Sequence, residues 1–259
     1  MIRRIAHIAV REWLEQTRQP VMLGVIAALY LIVGLLAVVT VGLVDHVAGD
    51  PGFEATLAGL VGTDDPQSFL ELGCGTVVIG YNFLIFSQHL GIAAVLAGHS
   101  VLHERQCGTL TFLLLAPVRR GELLAGKVVG SIGLATALYY IVSLTTSWTV
   151  MSFEVTEAYA DYLPSNPAWW VAFLLGGPLW ALLAGTLCTI VSSTSRDVRT
   201  AQQGVWFIVF FMTLVAGFLL TNSLPQGALS QIAVAALAAV GCAGALVVGA
   251  SVISRDLSR

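Results

Sequence analysis

Charge is what this sequence has least of. Asp, Glu, Lys and Arg make up 10% of its 259 residues, against 57% hydrophobic residues, whereas soluble domains carry about 25% charged side chains. The shortage excludes an ordinary water-soluble globular domain. Cysteine is sparse too: Cys74, Cys107, Cys188 and Cys242 stand far apart with no C-x-x-C pair, a spacing that supports neither a disulfide framework nor a zinc site. They read as small apolar packing residues. Catalytic signatures are also missing. There is no G-x-S-x-G elbow and no H-E-x-x-H helix, and Asp64-Asp65 has no matching acidic cluster, so an intramembrane enzyme lacks a recognisable nucleophile or metal set. No catalytic residue and no metal ligand is assigned.

What the chain has instead is long apolar runs, at a mean hydropathy of +0.86. Crossing a hydrocarbon core of about 30 Å takes roughly 20 apolar residues in a helix. Six runs reach that length: Val21 to Val44, Thr76 to Gly98, Leu123 to Val150, Trp169 to Val191, Gly204 to Thr221 and Gln231 to Ile253. Strands of a membrane barrel are about 10 residues long and alternate in polarity, so continuous runs of this kind predict helices. The expected fold class is an all-α integral membrane protein, one domain of six transmembrane helices over residues 1–259. The first run is too long to be a cleaved signal peptide and is expected to stay as a span. Gly241, Ala245 and Gly249 form a small-residue stripe on the sixth run, which lets helices approach closely within one chain or between two. Gly176-Gly177-Pro178 is expected to bend the fourth.

The few charges are sorted by side. All twelve basic residues fall on alternate connections: Arg3, Arg4, Arg11 and Arg18; Arg105, Arg119, Arg120 and Lys127; Arg196 and Arg199; Arg255 and Arg259. The intervening connections hold nine acidic residues, from Asp45 to Glu71 and from Glu154 to Asp161, and no basic one. The positive-inside rule then places both termini on the cytoplasmic side of the membrane, which is expected to be the cell inner membrane. The basic side is a membrane-surface signal, not a nucleic-acid patch. Before the first span, Ile2, Ile5, Ala6, Ala9 and Trp13 share one helical face and Arg4, Arg11 and Arg18 the other, the pattern of an interfacial helix over residues 1–20. The connection 45–73 mixes acidic residues with Phe53, Leu57, Leu60 and Phe69 and suits a short amphipathic helix on the outer surface.

Polar groups inside the spans are few. None of the runs holds an Asp or Glu in its central turns, and buried carboxylates are what ion-coupled transporters use; were the chain to transport anything, the energy would have to come from elsewhere. Asn82 and His89 are seven apart on one face of the second span with Gln88 beside them. Such a strip either lines a path or subunit interface, or hydrogen-bonds neighbouring helices. His99 and His103 stand four apart, followed by Glu104 and Cys107, but no second ligand pair completes a metal site. Gly121 to Lys127 fits G-x-x-x-x-G-K, the phosphate-cradling loop. The next residue is Val128 where a Ser or Thr should reach magnesium, and a span follows at once, so no nucleotide site is expected in this chain.

The most informative stretch is LHERQCGTLTFLLLAPVRRGELLAGK, Leu102 to Lys127. It is cytoplasmic by charge, yet Leu110, Phe112, Leu113, Leu114 and Leu115 are too apolar for a solvated loop; lipid or a partner protein must cover them. A short helix over residues 103–117, stopped by Pro117, is expected.

The pattern E-R-x-x-G-T-L-x-F-L-L-x-x-P-V-x-R-x-E-L-L-x-G-K from Glu104 to Lys127 resembles the cytoplasmic segment between spans two and three of the type-2 ABC transporter permease family. The run R-D-V-R-T-A-Q-Q from Arg196 to Gln203 and the six-span plan are similar to that family as well. Thr111 stands where the family often has an acidic residue after G-T-L. The resemblance implies a coupling helix whose Glu104, Arg105, Gly108, Thr109, Leu110, Phe112, Leu113 and Pro117 meet a separate ABC ATPase. It implies two permease chains with two ATPase copies, ATP and magnesium bound in those partners, no cofactor in this chain, and export across the bilayer. A six-span channel or carrier independent of ATP is the alternative.

Overall fold

The computed structural model of the chain describes residues 2–18, 20–48, 50, 52–53, 56, 59, 66–108, 120–195 and 197–256. These residues form helices and no strand, and six of the helical segments are long and apolar enough to cross a membrane. The expected all-α, six-span architecture is what the chain adopts. Helix α1 (Ile2–Thr17) precedes the spans. The spans follow as α2 (Pro20–Ala48), α3 (Pro66–Gln106) and α4 (Arg120–Val150), a fourth in three pieces, then α7 (Val198–Asn222) and α8 (Ala228–Asp256). The outer connection is shorter than the expected 45–73, because α2 continues to Ala48 and α3 already begins at Pro66; residues 54–55, 57–58 and 60–65 lie outside the described residues. Of the coupling helix expected over 103–117, residues 103–106 are the last turn of α3, and 109–117 lie outside the described residues.

The fourth span shows what glycine and proline do to a helix in lipid. Asn166 caps α5 (Pro167–Val171), its side chain accepting from the Ala168 amide at 2.9 Å. A π-helical turn over Ala172–Gly176 follows, and α6 (Gly177–Thr194) resumes with Pro178 in its first turn. Proline has no amide to donate, and the wider turn, with the Gly177 amide reaching back to the Ala172 carbonyl, accommodates it. The irregularity falls at the Gly-Gly-Pro sequence that was expected to bend the span.

Helix α3 is the central element, packed against α2, α4, α6 and α7, while α8 rests on α6. Tyr30, Phe86, Tyr139, Trp169 and Phe173 fill the core. Trp169 and Phe173 stack at 4.7 Å between ring centres, and Tyr139 tilts against Phe173 at 5.3 Å. Large apolar side chains such as Leu35 on α2, Phe207 and Phe218 on α7 and Val240 on α8 point outward, as a solvent of acyl chains permits. The glycine stripe on α8 is spent inside the chain: a Cβ on Gly241 would stand 3.1 Å from Leu183, and one on Gly249 2.7 Å from Ile190, both on α6.

Helix α1 is more than a surface float. Ile5, Ile8 and Ala9 are partly covered, and Glu12 and Gln16 are buried at 8% and 6% exposure, while Val10, Trp13 and Leu14 remain exposed. It lies across the first turns of α4 at Gly126 and Gly130. A Cβ on Gly130 would stand 2.6 Å from the Ala9 carbonyl, and one on Gly126 2.7 Å from Ile8 Cβ. Two glycines four apart let backbones meet in this way. Gly130→Ala is therefore expected to destabilise the protein by about 1–3 kcal/mol through overpacking. At Gly133, where nothing lies within 4 Å, the same change should leave stability unchanged or raise it by about 1 kcal/mol through helix propensity. Thermal midpoints of the two variants in detergent check the contrast, and equal shifts would remove α1 from this seat.

Candidate functional site at the junction of α3 and α4

The two helices that flank the apolar segment Leu110–Pro117 of the sequence meet at one end of the bundle. Helix α3 closes with the Cys107 amide on the His103 carbonyl (3.0 Å) and with Gly108 at φ +70°, a left-handed conformation that glycine adopts freely after a helix. Arg105 belongs to the last turn of α3. Thr109, Leu110, Phe112, Leu113 and Pro117 lie outside the described residues, and the chain is described again from Arg120.

At the base of this connection sits an ionic cluster that joins three helices. Lys127, seven residues into α4, donates its Nζ to Glu104 Oε1 of α3 at 2.8 Å, to Glu12 Oε2 of α1 at 3.0 Å and to Ser100 Oγ of α3 at 3.1 Å. The lysine side chain is 5% exposed. An ammonium carries three donors and no acceptor, and here all three protons have an oxygen. Charges this well covered are held by mutual pairing, because desolvating any one alone is severely unfavourable. Beside the cluster lies a cavity of about 290 Å³, lined among others by Gln16, Met22, Leu96 and His99. Gln16 Oε1 is buried with no hydrogen-bond partner among the described residues. The His99 and His103 rings stack parallel at 6.3 Å along α3.

This placement changes the meaning of two sequence features. Glu104, which the resemblance implies as a contact for the partner, also binds Lys127 within the chain through its carboxylate. Gly121 to Lys127, the phosphate-loop near miss, is the helical start of α4, with its lysine already holding two carboxylates. Sequence reasoning missed Glu12, Gln16, Ser100 and Lys127 as a group. The available signal was Gly126-x-x-x-Gly130 flanking a lysine beside a span, together with the i, i+4 pair Glu12 and Gln16 on the amphipathic helix.

The polar strip of α3 is brought inside the bundle. Asn82 Nδ2 donates to the Val78 carbonyl at 3.0 Å and the Tyr162 carbonyl at 2.8 Å, while its Oδ1 accepts from Trp169 Nε1 at 3.1 Å. His89 is fully buried and stacks on Tyr139 at 4.4 Å. Its Nδ1 shares a hydrogen bond with the Tyr30 hydroxyl at 3.2 Å. Gln88 is partly buried beside them. At the second distinctive sequence run, Asp197 caps α7: its carboxylate accepts from the Thr200 amide at 2.7 Å and the Thr200 hydroxyl at 2.8 Å. Those two bonds, the amide first, hold the carboxyl below its ordinary value.

A six-span helical bundle with an ion-paired joint beneath one connection, and polar side chains turned into hydrogen bonds between its own helices, defines a multi-pass membrane protein. Comparison with protein families gives its kind. A family described as ABC-2 family transporter protein matches residues 6–259, and the chain belongs to that family. It is thus a permease subunit of an ABC transporter. A search of curated proteins finds no match.

Proposed function

We propose that the chain is the membrane-spanning half of an ATP-driven exporter of a bacterial inner membrane, acting as a homodimer with two copies of a separate ATPase. Both termini and the segment 109–119 lie on the cytoplasmic side. There the leucines and Phe112 dock in a groove of the ATPase, which binds ATP and magnesium and drives the bundle between inward- and outward-open forms. The observation that carries this reading is the match to the transporter family over residues 6–259. The apolar run between two basic flanks supports it, because such a surface needs a cover. The small external connections favour export over capture from a large extracellular binding surface.

A native mass measurement of the chain together with the ABC ATPase that co-purifies with it tests the assembly. Two permease chains and two ATPase chains are expected. One permease chain per two ATPase chains would contradict the dimer, and a permease that never carries the ATPase would contradict the function.

A further inference from the structure

The loop that faces the ATPase in this reading begins and ends at two helices, and a single side chain binds both. Glu104 stands two residues before the end of α3, and Lys127 seven residues into α4. Their 2.8 Å ion pair closes the base of the loop. That pair alone would suffice to join the loop's ends. The lysine nevertheless makes a second ion pair, at 3.0 Å, with Glu12 of α1, more than a hundred residues away in sequence. We infer that Lys127 is a positioning residue for coupling, a role that rests on the loop being the ATPase contact. By holding Glu104 and Glu12 together, it makes α1 and both ends of the loop move as one unit.

Three features carry the inference. Helix α1 is already seated on α4 through the close approaches at Gly126 and Gly130, so a force on the loop reaches a helix that cannot slide away. Buried ion pairs are poor sources of stability, since neutral side chains of similar shape often serve as well; their attested use is to select one register. Here the register selected is that of α1 against the loop. Finally, packing seats the backbone of α1 but leaves room around the carboxylate ends. A cavity of about 290 Å³ is lined by Glu12, Glu104 and Lys127 themselves, so on that side the ammonium holds the two carboxylates.

The test uses the permease–ATPase complex reconstituted in lipid vesicles, with two readouts: the ratio of ATPase retained and the permease-stimulated rate of ATP hydrolysis. Lys127→Met should keep the ATPase but lower stimulation about tenfold, within the range of coupling between protein sites. Lys127→Arg, whose planar fork spans two carboxylates, should keep most of it. Because Lys127→Met strands two buried carboxylates, a third variant, Glu12→Gln/Glu104→Gln/Lys127→Met, removes all three charges and is expected to fold and bind the ATPase. It should remain as poorly stimulated as Lys127→Met. Wild-type stimulation in this triple variant, or an Arg variant as impaired as the Met one, would overturn the role of Lys127. A wild-type chain that neither holds nor stimulates the ATPase would instead defeat the docking reading itself.

Discussion

Phe112→Asp is expected to release the ATPase from a permease that still inserts and folds. The segment L-T-F-L-L-L-A-P from Leu110 to Pro117 carries five large apolar residues between Arg105 and Arg119-Arg120. In the docked state each covered side chain contributes about 1.5–3 kcal/mol, and aromatic residues at the centre of such contacts hold a disproportionate share. An Asp in that contact replaces a favourable burial with an unpaired charge, a change of several kcal/mol, which corresponds to a loss of affinity of about a thousandfold or more. Folding should survive because the joint beneath the segment is made by Glu104, Lys127 and Glu12, none of which is altered. Co-purification and a thermal melt of the same sample check both halves of the expectation. A variant that keeps its partner and its transport would place the apolar face in the lipid interface instead.

Asn82→Leu should be the most destabilising single change in the bundle's interior. The amide of Asn82 is the junction of three elements: α3 itself, the 3-10 helix Glu154–Tyr162 through the Tyr162 carbonyl, and α5 through Trp169 Nε1. Leucine has a similar volume, so the loss is polar and leaves no large void. The change strands the Trp169 indole N–H, in a side chain 1% exposed, and removes the donor to the Tyr162 carbonyl. Each orphaned buried group costs about 1–3 kcal/mol. The variant should melt well below the wild type in detergent, with an altered Trp fluorescence spectrum. A midpoint within a degree or two of wild type would show that water or other groups satisfy these atoms.

The spans were legible because a bilayer core demands continuous apolar length, and each of the six runs coincides with a helical span, the fourth in three pieces. Their ends were not. Helix α3 runs from Pro66 to Gln106, well beyond Thr76 to Gly98, because a helix continues through polar residues once it leaves the hydrocarbon, and hydropathy marks only the middle. The Gly-Gly-Pro irregularity was legible, since its cause is local. The seat of α1 was not. Amphipathic spacing shows that a helix has two faces but not which surface each meets, and Glu12 and Gln16 turn inward only because Lys127, Gly126 and Gly130 wait on α4. For the same reason the Gly241 and Gly249 stripe left its partner open, and the structure assigns it to α6. Asn82 and His89 were recognised as a polar strip, but their partners Trp169, Tyr162 and Tyr30 come from other spans, beyond the reach of periodicity. The segment 109–119 was singled out by a conflict between charge and hydropathy, and the joint at its base became visible only with the helices in place.

The most direct measurement of the coupling is ATP hydrolysis by an ABC ATPase that co-purifies with this chain, in lipid vesicles with and without the permease. The rate should rise when the permease is present and return to the basal value when Phe112→Asp replaces the wild type. A rate indifferent to the permease, with transport persisting in vesicles that lack the ATPase, would contradict that coupling.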